Sequence, residues 1–166
     1  QLQDFTYANE FHLTVKHLAV AKLNDKGVEL RSHPVMLSKN SSLAGLKGVR
    51  NGIQFDTNLL GEFHVAGSGA GRESTASGLI SDLFALSKFN GSSPMHYPDF
   101  SKKPNLLNFD DLIFKYYVYL EVKDEPGVLA LISKIFADQG ISFDKVIQKD
   151  QLDNGNVPVV IFTDPV

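Results

Sequence analysis

Cysteine is absent from this chain of 166 residues. Its absence excludes disulfide bonds, thiolate zinc sites and a cysteine nucleophile, and it fits a reducing compartment. The sequence also lacks any run near the roughly 18 apolar residues of a membrane helix, and any charged-then-apolar export signal at its start. These absences predict a soluble, cytoplasmic protein that does not enter a membrane.

An excess of positive charge is missing as well. Lysine and arginine total 16 against 19 aspartates and glutamates, a formal net charge of −3, whereas nucleic-acid binding needs clustered cations. No two histidines stand at the i, i+4 spacing of a metal-binding helix face, since even His12 and His17 are too far apart. We therefore expect neither a nucleic-acid partner nor a metal site.

The chain opens on Gln1 instead of methionine, and helix-like spacing begins at once with Leu2, Phe5 and Ala8. A natural protein start of this character is unusual, so we expect the chain to be part of a longer protein. Its content of 43% hydrophobic and 21% charged residues is that of an ordinary globular protein. The length allows one ordinary domain or two small ones.

The first part of the chain alternates between apolar runs and turn residues, which is the pattern of strands joined by hairpins. The predicted segments are a buried strand around 15–20, a turn at 24–27, a strand from 28 that ends near His33-Pro34, a strand at 49–55, a turn at 58–61 and a strand at 62–66. Proline cannot donate to a sheet ladder, so Pro34 should lie at an edge, a bulge or a strand end. Together these segments predict an antiparallel sheet.

A glycine-rich loop at 67–71 precedes a helix predicted from Ser74 to Lys88, with Ser74 or Thr75 as its N-cap. Such a loop is either an anion site at a helix N-terminus or a tight turn that needs positive φ. The P-loop pattern fails because Arg72-Glu73 follows the last glycine, and the dinucleotide fingerprint fails in spacing and surroundings. The residues alone leave both possibilities open.

The second part of the chain predicts a β-α-β-β unit after a linker at 89–112 rich in turn residues. The predicted segments are a strand at 116–122, a helix at 126–138 with Pro126 in its first turn, a strand at 141–148, a turn at 153–155 and a strand at 157–162. Gly140 suits the position just past the helix. A second helix and fourth strand would complete a split β-α-β sheet.

Two blocks of sequence resemble known families. From Gly67, GSGAGRESTASGLISDLFAL resembles the last catalytic-domain segment of homoserine dehydrogenases, and LAVAK and GVELRSHPVML upstream agree with it in order and spacing. Residues 116–163, YYVYLEVKDEPGVLALISKIFADQGISFDKVIQK followed by PVVIFT, resemble an ACT domain of the type appended to bacterial homoserine dehydrogenases. The resemblance covers nearly the whole chain except the linker. Ser68 departs from the proline common in bacterial members.

The resemblance implies an α+β fold in three parts: residues 1–88 as the end of the catalytic, substrate and dimerisation region with a returning helix at 74–88, the linker at 89–112, and an incomplete ferredoxin-like ACT module at 113–166. It implies NAD(P)-dependent interconversion of L-aspartate 4-semialdehyde and L-homoserine by the complete enzyme. Gly71 is the residue carried over as cofactor-binding, with Gly69 and Ala70 beside it. The catalytic lysine, the substrate-binding acids and the nucleotide fingerprint have no counterpart here, so we expect no catalytic residue, no bound cofactor and no activity in this chain alone.

For the ACT block, the resemblance implies amino-acid binding between two modules, with threonine as the allosteric ligand. The candidate residues are Asp124, Gly127, Val128, Leu129, Ile141, Ser142 and Gln148. By composition alone, residues 124–129 slightly favour a plain strand-to-helix connection with acidic residues at the favourable end of the helix dipole. The implied partner is a second copy, in a dimer or in a tetramer formed through the ACT modules. The alternative is a stand-alone, non-catalytic protein that binds an amino acid or dimerises.

Overall fold

The computed structural model describes residues 2–88 and 103–166. Most of the predicted linker therefore lies outside the described residues. The chain divides into two compact units: the first comprises Gln1–Ala21 with Leu30–Asn105, and the second comprises Lys22–Glu29 with Leu106–Val166.

The N-terminal part of the chain forms two hairpins between two helices. Its elements are α1 (Leu2–Glu10), β1 (Leu13–Asn24), β2 (Gly27–Ser38), β3 (Arg50–Thr57), β4 (Gly61–Ser68) and α2 (Arg72–Lys88). The strands form separate two-stranded sheets, β1 with β2 and β3 with β4, where the sequence predicted one sheet. The hairpin connections themselves are confirmed.

Strand β2 does not end near His33-Pro34 as predicted, because it continues to Ser38. In a two-stranded sheet every strand has one unpaired edge, and a proline that faces such an edge removes no ladder bond. The turn before β2 forms as predicted. The Asn24 side-chain oxygen accepts hydrogen bonds from the amides of Lys26 at 2.9 Å and Gly27 at 3.2 Å, and these bonds reverse the chain.

Helix α2 begins at Arg72, two positions before the predicted start. The predicted capping role is therefore wrong, since Ser74 and Thr75 both lie inside the first turn. The Ser74 hydroxyl donates to the carbonyl of Gly71 at 3.1 Å, and the Thr75 amide donates to the same carbonyl at 3.1 Å. Gly71 itself, at φ +122°, makes the turn into the helix.

The second unit is built on a three-stranded sheet with one helix. It contains a short 3-10 helix (Phe109–Asp111), β5 (Tyr117–Lys123), α3 (Val128–Asp138), β6 (Phe143–Gln148) and β7 (Asn156–Thr163). The strand order is β5-β7-β6, and β7 pairs antiparallel with both neighbours. Val159, Val160 and Ile161 of this central strand are fully buried. The mixture of helices with antiparallel sheet agrees with the predicted class.

Two predicted boundaries in this unit are wrong. Pro126 lies before α3, because Gly127 at φ +93° occupies the N-cap position and the helix starts at Val128. Strand β6 starts at Phe143, because the Ile141 amide instead donates to the carbonyl of Phe136 at 2.9 Å and closes the end of α3. The predicted left-handed glycine past that helix is confirmed, with Gly140 at φ +72°.

The tip of the β1–β2 hairpin belongs to the second unit. The Leu107 amide donates to the carbonyl of Val28 at 3.0 Å, and Val28 forms a parallel bridge with Leu106. Glu29 beside them is only 8% exposed. This unit is therefore assembled from two stretches of sequence.

Candidate functional site

The loop Gly69–Gly71 joins β4 to α2 and is fixed at both ends. Arg50 is opposite Ser68 in the β3–β4 ladder, and the Gly69 amide donates to the carbonyl of Val49 at 2.9 Å, one step beyond that pair. At the other end, the carbonyl of Gly71 accepts the first helical hydrogen bond of α2. The loop is thus a short connection between a strand and a helix, with a backbone hydrogen bond at each end.

Gly71 has a backbone conformation that favours glycine. Its φ of +122° is one that residues with a side chain rarely adopt. A methyl group on Gly71 would also lie 3.4 Å from the Ser74 hydroxyl oxygen. The tight-turn interpretation of the glycine loop is therefore correct for Gly71, and it does not exclude an anion site at the same place.

A shallow depression of about 380 Å³ lies along this loop. It is lined by Ser68, Ala70, Gly71, Arg72, Glu73 and Ser74. The lining consists of small side chains and backbone at the N-terminus of α2, whose first-turn amides carry partial positive charge. Arg72 adds a cation and Glu73 an anion, so the depression fits a ligand that combines an anionic group with hydroxyl or amide groups.

Position 69 requires glycine for a different, steric reason, which the sequence did not reveal. A methyl group on Gly69 would lie 2.8 Å from Cβ of Asn51 and still closer to the Asn51 side-chain amide. The Asn51 side chain therefore occupies the space directly against the Gly69 backbone. The only signal in the sequence was the glycine itself, because the partner depends on the β3–β4 register.

The second candidate site is the connection between β5 and α3. Within the described residues, Asp124 has no cation or hydrogen-bond partner, whereas Lys123 lies 3.9 Å from the Glu125 carboxylate. The Val128 amide donates to the carbonyl of Glu125 at 3.3 Å and is engaged within the turn. Asp124 and the amides that flank Val128 are the groups this connection offers to a ligand.

The strand topology separates the predicted amino-acid site into two groups. Strands β5 and β6 both run antiparallel to β7, so their C-terminal ends lie at the same end of the sheet. Asp124, the start of α3 and Gln148 therefore share one end. Ile141 and Ser142 precede β6 at the opposite end, where the Asp164 amide donates to the carbonyl of Ser142 at 2.9 Å. The length of β6 puts about 20 Å between the two groups.

Metal-binding clusters and membrane-spanning helices are both absent from the part of the chain that the structure describes. No group of three or more histidine, aspartate or glutamate side chains there is arranged to hold a metal ion. No helix among the same residues has the length and apolar character to cross a membrane.

Comparison with known proteins gives one consistent result. A family model described as homoserine dehydrogenase matches residues 1–84. The homoserine dehydrogenase of Neisseria gonorrhoeae is 31% identical over 97% of this chain and 39% of its own length, and that of Helicobacter pylori is 34% identical over 96% and 38%. The chain thus spans about two fifths of the length of the curated relatives it matches.

Solved structures agree. The crystal structure of a homoserine dehydrogenase from Thiobacillus denitrificans matches 99% of this chain and 38% of its own, with 30% identity and a TM-score of 0.85. The Staphylococcus aureus homoserine dehydrogenase at pH 7.5 matches 96% of this chain with a TM-score of 0.62 and 20% identity, a likeness of fold alone.

Proposed function

Because the chain belongs to the homoserine dehydrogenase family, we propose that it contributes to an enzyme that interconverts L-aspartate 4-semialdehyde and L-homoserine with NAD(P). This reaction lies on the route to threonine, methionine and isoleucine. The observation that carries the proposal is the Gly69–Gly71 loop, which brings bare backbone and the start of α2 to one open depression. A cytoplasmic location remains the expectation from sequence.

The residues of the loop fit a dinucleotide. A phosphate or ribose requires close approach of backbone amides, and side chains larger than methyl are absent from Gly69, Ala70 and Gly71. Arg72 has no ion-pair partner within the described residues and is available to an anionic group. When bound, the nicotinamide ring supplies or accepts the hydride. This chain contributes the orienting contacts, and Gly71 is the principal cofactor-binding residue we propose, with Gly69 and Ala70 as its neighbours.

The catalytic groups are not assigned to this chain. Its sequence has no Gly-x-Gly-x-x-Gly fingerprint, and none of its lysines stands in the family's catalytic motif. Hydride transfer requires cofactor and substrate to be held together. We therefore expect the 166-residue chain alone to show no dehydrogenase activity and no tight binding of NAD(P).

The loop is tested by Gly71→Val in the complete enzyme, with Gly67→Val as the matched control. At Gly71 the substitution combines an unfavourable φ with a branched side chain beside the depression, whereas a methyl on Gly67 would have open space around it. We expect a raised KM and Kd for the cofactor with Gly71→Val and near-normal values with Gly67→Val. Unchanged cofactor affinity in Gly71→Val, in a folded protein, would reject the loop as part of the cofactor site.

We propose that residues 113–166 form an ACT-type regulatory module, that 1–88 form the catalytic-domain part, and that 89–112 link them. The strand order β5-β7-β6 with α3 after the first strand supports this, because it is the arrangement of the first three strands in a ferredoxin-like β-α-β-β unit. Helix α3 also has one side that is less exposed than the other, as a helix packed on a sheet should. Val128, Ile132 and Phe136 are less exposed than Leu131 and Ile135.

Threonine is the proposed ligand of this module. The carboxylate of Asp124 suits its ammonium group, and the backbone amides of Gly127 and Leu129 at the start of α3 suit its carboxylate. Gln148 lies at the same end of the sheet, whereas Val128 contributes little because its amide is engaged. Since Ile141 and Ser142 lie at the opposite end, we propose that they act only through a second module at an interface.

A homodimer is the proposed assembly. One face of the β3–β4 hairpin carries the opposed pairs Ile53–Val65 and Phe55–Phe63, and these four side chains are 38–60% exposed. An apolar sheet face of this kind marks an interaction surface. The same face of a second copy of the chain would cover it.

A further inference from the structure

We propose that Asn51 is a positioning residue that holds the Gly69–Gly71 loop in the conformation that receives the cofactor. The inference rests on the proposed cofactor-binding role of that loop and assigns a side chain outside it to the same site.

The first support is the contact itself. Gly69 is held from one side by its hydrogen bond to the carbonyl of Val49. The Asn51 side chain covers the position where a Cβ of Gly69 would lie, with its own Cβ only 2.8 Å from that position. Gly69 is thus confined between the backbone of Val49 and the side chain of Asn51, and any movement of the loop toward Asn51 meets the carboxamide.

The second support is the place of Asn51 in the strand. Asn51 is opposite Gly67, and it lies on the same face as Ile53 and Phe55 because side chains alternate along a strand. Asparagine is disfavoured in strands, and its neighbours on this face, the pairs Ile53–Val65 and Phe55–Phe63, are apolar. Neither local propensity nor the neighbouring apolar pairs favour asparagine here, and its side chain is the one that covers Gly69.

The third support is the exposure and hydrogen bonding of the Asn51 side chain. Asn51 is exposed, and within the described residues its carboxamide makes no hydrogen bond to another protein group. Its effect on the loop therefore comes from shape and not from a bond that fixes β3. Substitution of Asn51 should consequently alter the loop more than the stability of the hairpin.

The test uses the complete enzyme with Asn51→Ala, and Asn58→Ala in the β3–β4 turn as the matched control. We expect Asn51→Ala to raise the cofactor KM by about tenfold or more, since loss of positioning is costly at a reacting site, while kcat and the melting temperature change little. Asn58→Ala should leave both kinetic constants unchanged. An unaltered cofactor KM in Asn51→Ala would overturn the positioning role.

A double-mutant cycle distinguishes contact from indirect effects. Gly69→Ala alone should impair cofactor binding because its methyl meets the Asn51 side chain. In the Asn51→Gly background that obstacle is gone, so Gly69→Ala should cost much less there. Additive effects of the two substitutions would contradict the inference.

The results for Gly71→Val and Asn51→Ala together distinguish the positioning role of Asn51 from the cofactor-binding role of the loop. If Gly71→Val impairs cofactor binding while Asn51→Ala does not, only the positioning role is rejected. If neither substitution affects cofactor binding, the cofactor-facing role of the loop fails and the inference fails with it.

Discussion

Phe55 and Phe63 stack across β3 and β4, with ring centroids 4.9 Å apart and ring planes 13° apart. Stacking of this kind contributes about 0.5–1.5 kcal/mol beyond the area it buries. The two residues nevertheless remain 40% and 38% exposed. The opposite face of the hairpin is polar, and there the Ser42 hydroxyl donates to the Gln54 side chain at 2.9 Å. The hairpin thus presents its apolar face outward.

A charge on this apolar face should weaken the proposed dimer. Ile53→Lys places an ammonium group between apolar side chains that would be desolvated by a second copy. We expect sedimentation velocity on the complete enzyme to show a shift toward smaller species at micromolar concentration. The control is Asp56→Lys on the opposite face, which should sediment as the unaltered protein. Equal behaviour of the two variants would argue against an interface here.

Helix α2 should gain stability from Gly78→Ala. Gly78 lies in the helix interior, and a Cβ there meets nothing within 4 Å. Alanine removes backbone entropy from the unfolded chain, so we expect the free energy of unfolding to rise by about 0.5–1 kcal/mol. Urea unfolding followed by far-ultraviolet circular dichroism measures the change. A decrease would mean that Gly78 contacts a surface outside the described residues.

Helix α3 should lose stability from Gly127→Ala. The φ of +93° at its N-cap position is unfavourable for alanine and should cost about 1–2 kcal/mol. Gly45→Ala is the control, since Gly45 has no positive φ and no neighbour within 4 Å of an added Cβ. The midpoint of urea unfolding compares the two variants. Similar midpoints would show that the segment relaxes to another turn.

Threonine should stabilise the protein, and Asp124→Asn should reduce that effect. A ligand at 100 times its Kd stabilises the folded state by about 2.7 kcal/mol, which is a clear rise in melting temperature. Glu125→Gln serves as the control, because Glu125 is engaged with Lys123. The midpoint is measured by differential scanning fluorimetry on the complete enzyme with millimolar threonine, and with alanine as the comparison amino acid. An identical rise for Asp124→Asn and Glu125→Gln would remove Asp124 from the site.

Local chemistry made much of this fold predictable. The Asn24–Gly27 turn, the β3–β4 hairpin and the left-handed Gly140 all depend on residues next to one another in sequence, and each formed as expected. The glycine loop at 67–71 was also interpreted as a tight turn that needs positive φ, and the structure has this conformation at Gly71.

The wrong boundaries have a different origin. Strand β2 continues past Pro34 in a two-stranded sheet, where each strand has an unpaired edge that tolerates proline. Strand β6 starts late because the Ile141 amide returns to α3. These facts depend on neighbours that are remote in sequence or on the end of a preceding helix. The contact of Asn51 with Gly69 was missed for the same reason, since it exists only in one register of β3 and β4.

The hairpin tip has a consequence for how such proteins can be recombined. Lys22–Glu29 are grouped with Leu106–Val166, and the Val28 carbonyl accepts the Leu107 amide. A chimera that exchanges only the C-terminal segment between two relatives would join one parent's tip to the other parent's segment. The exchangeable module is therefore not contiguous in the gene, and a graft that keeps it intact must carry both stretches.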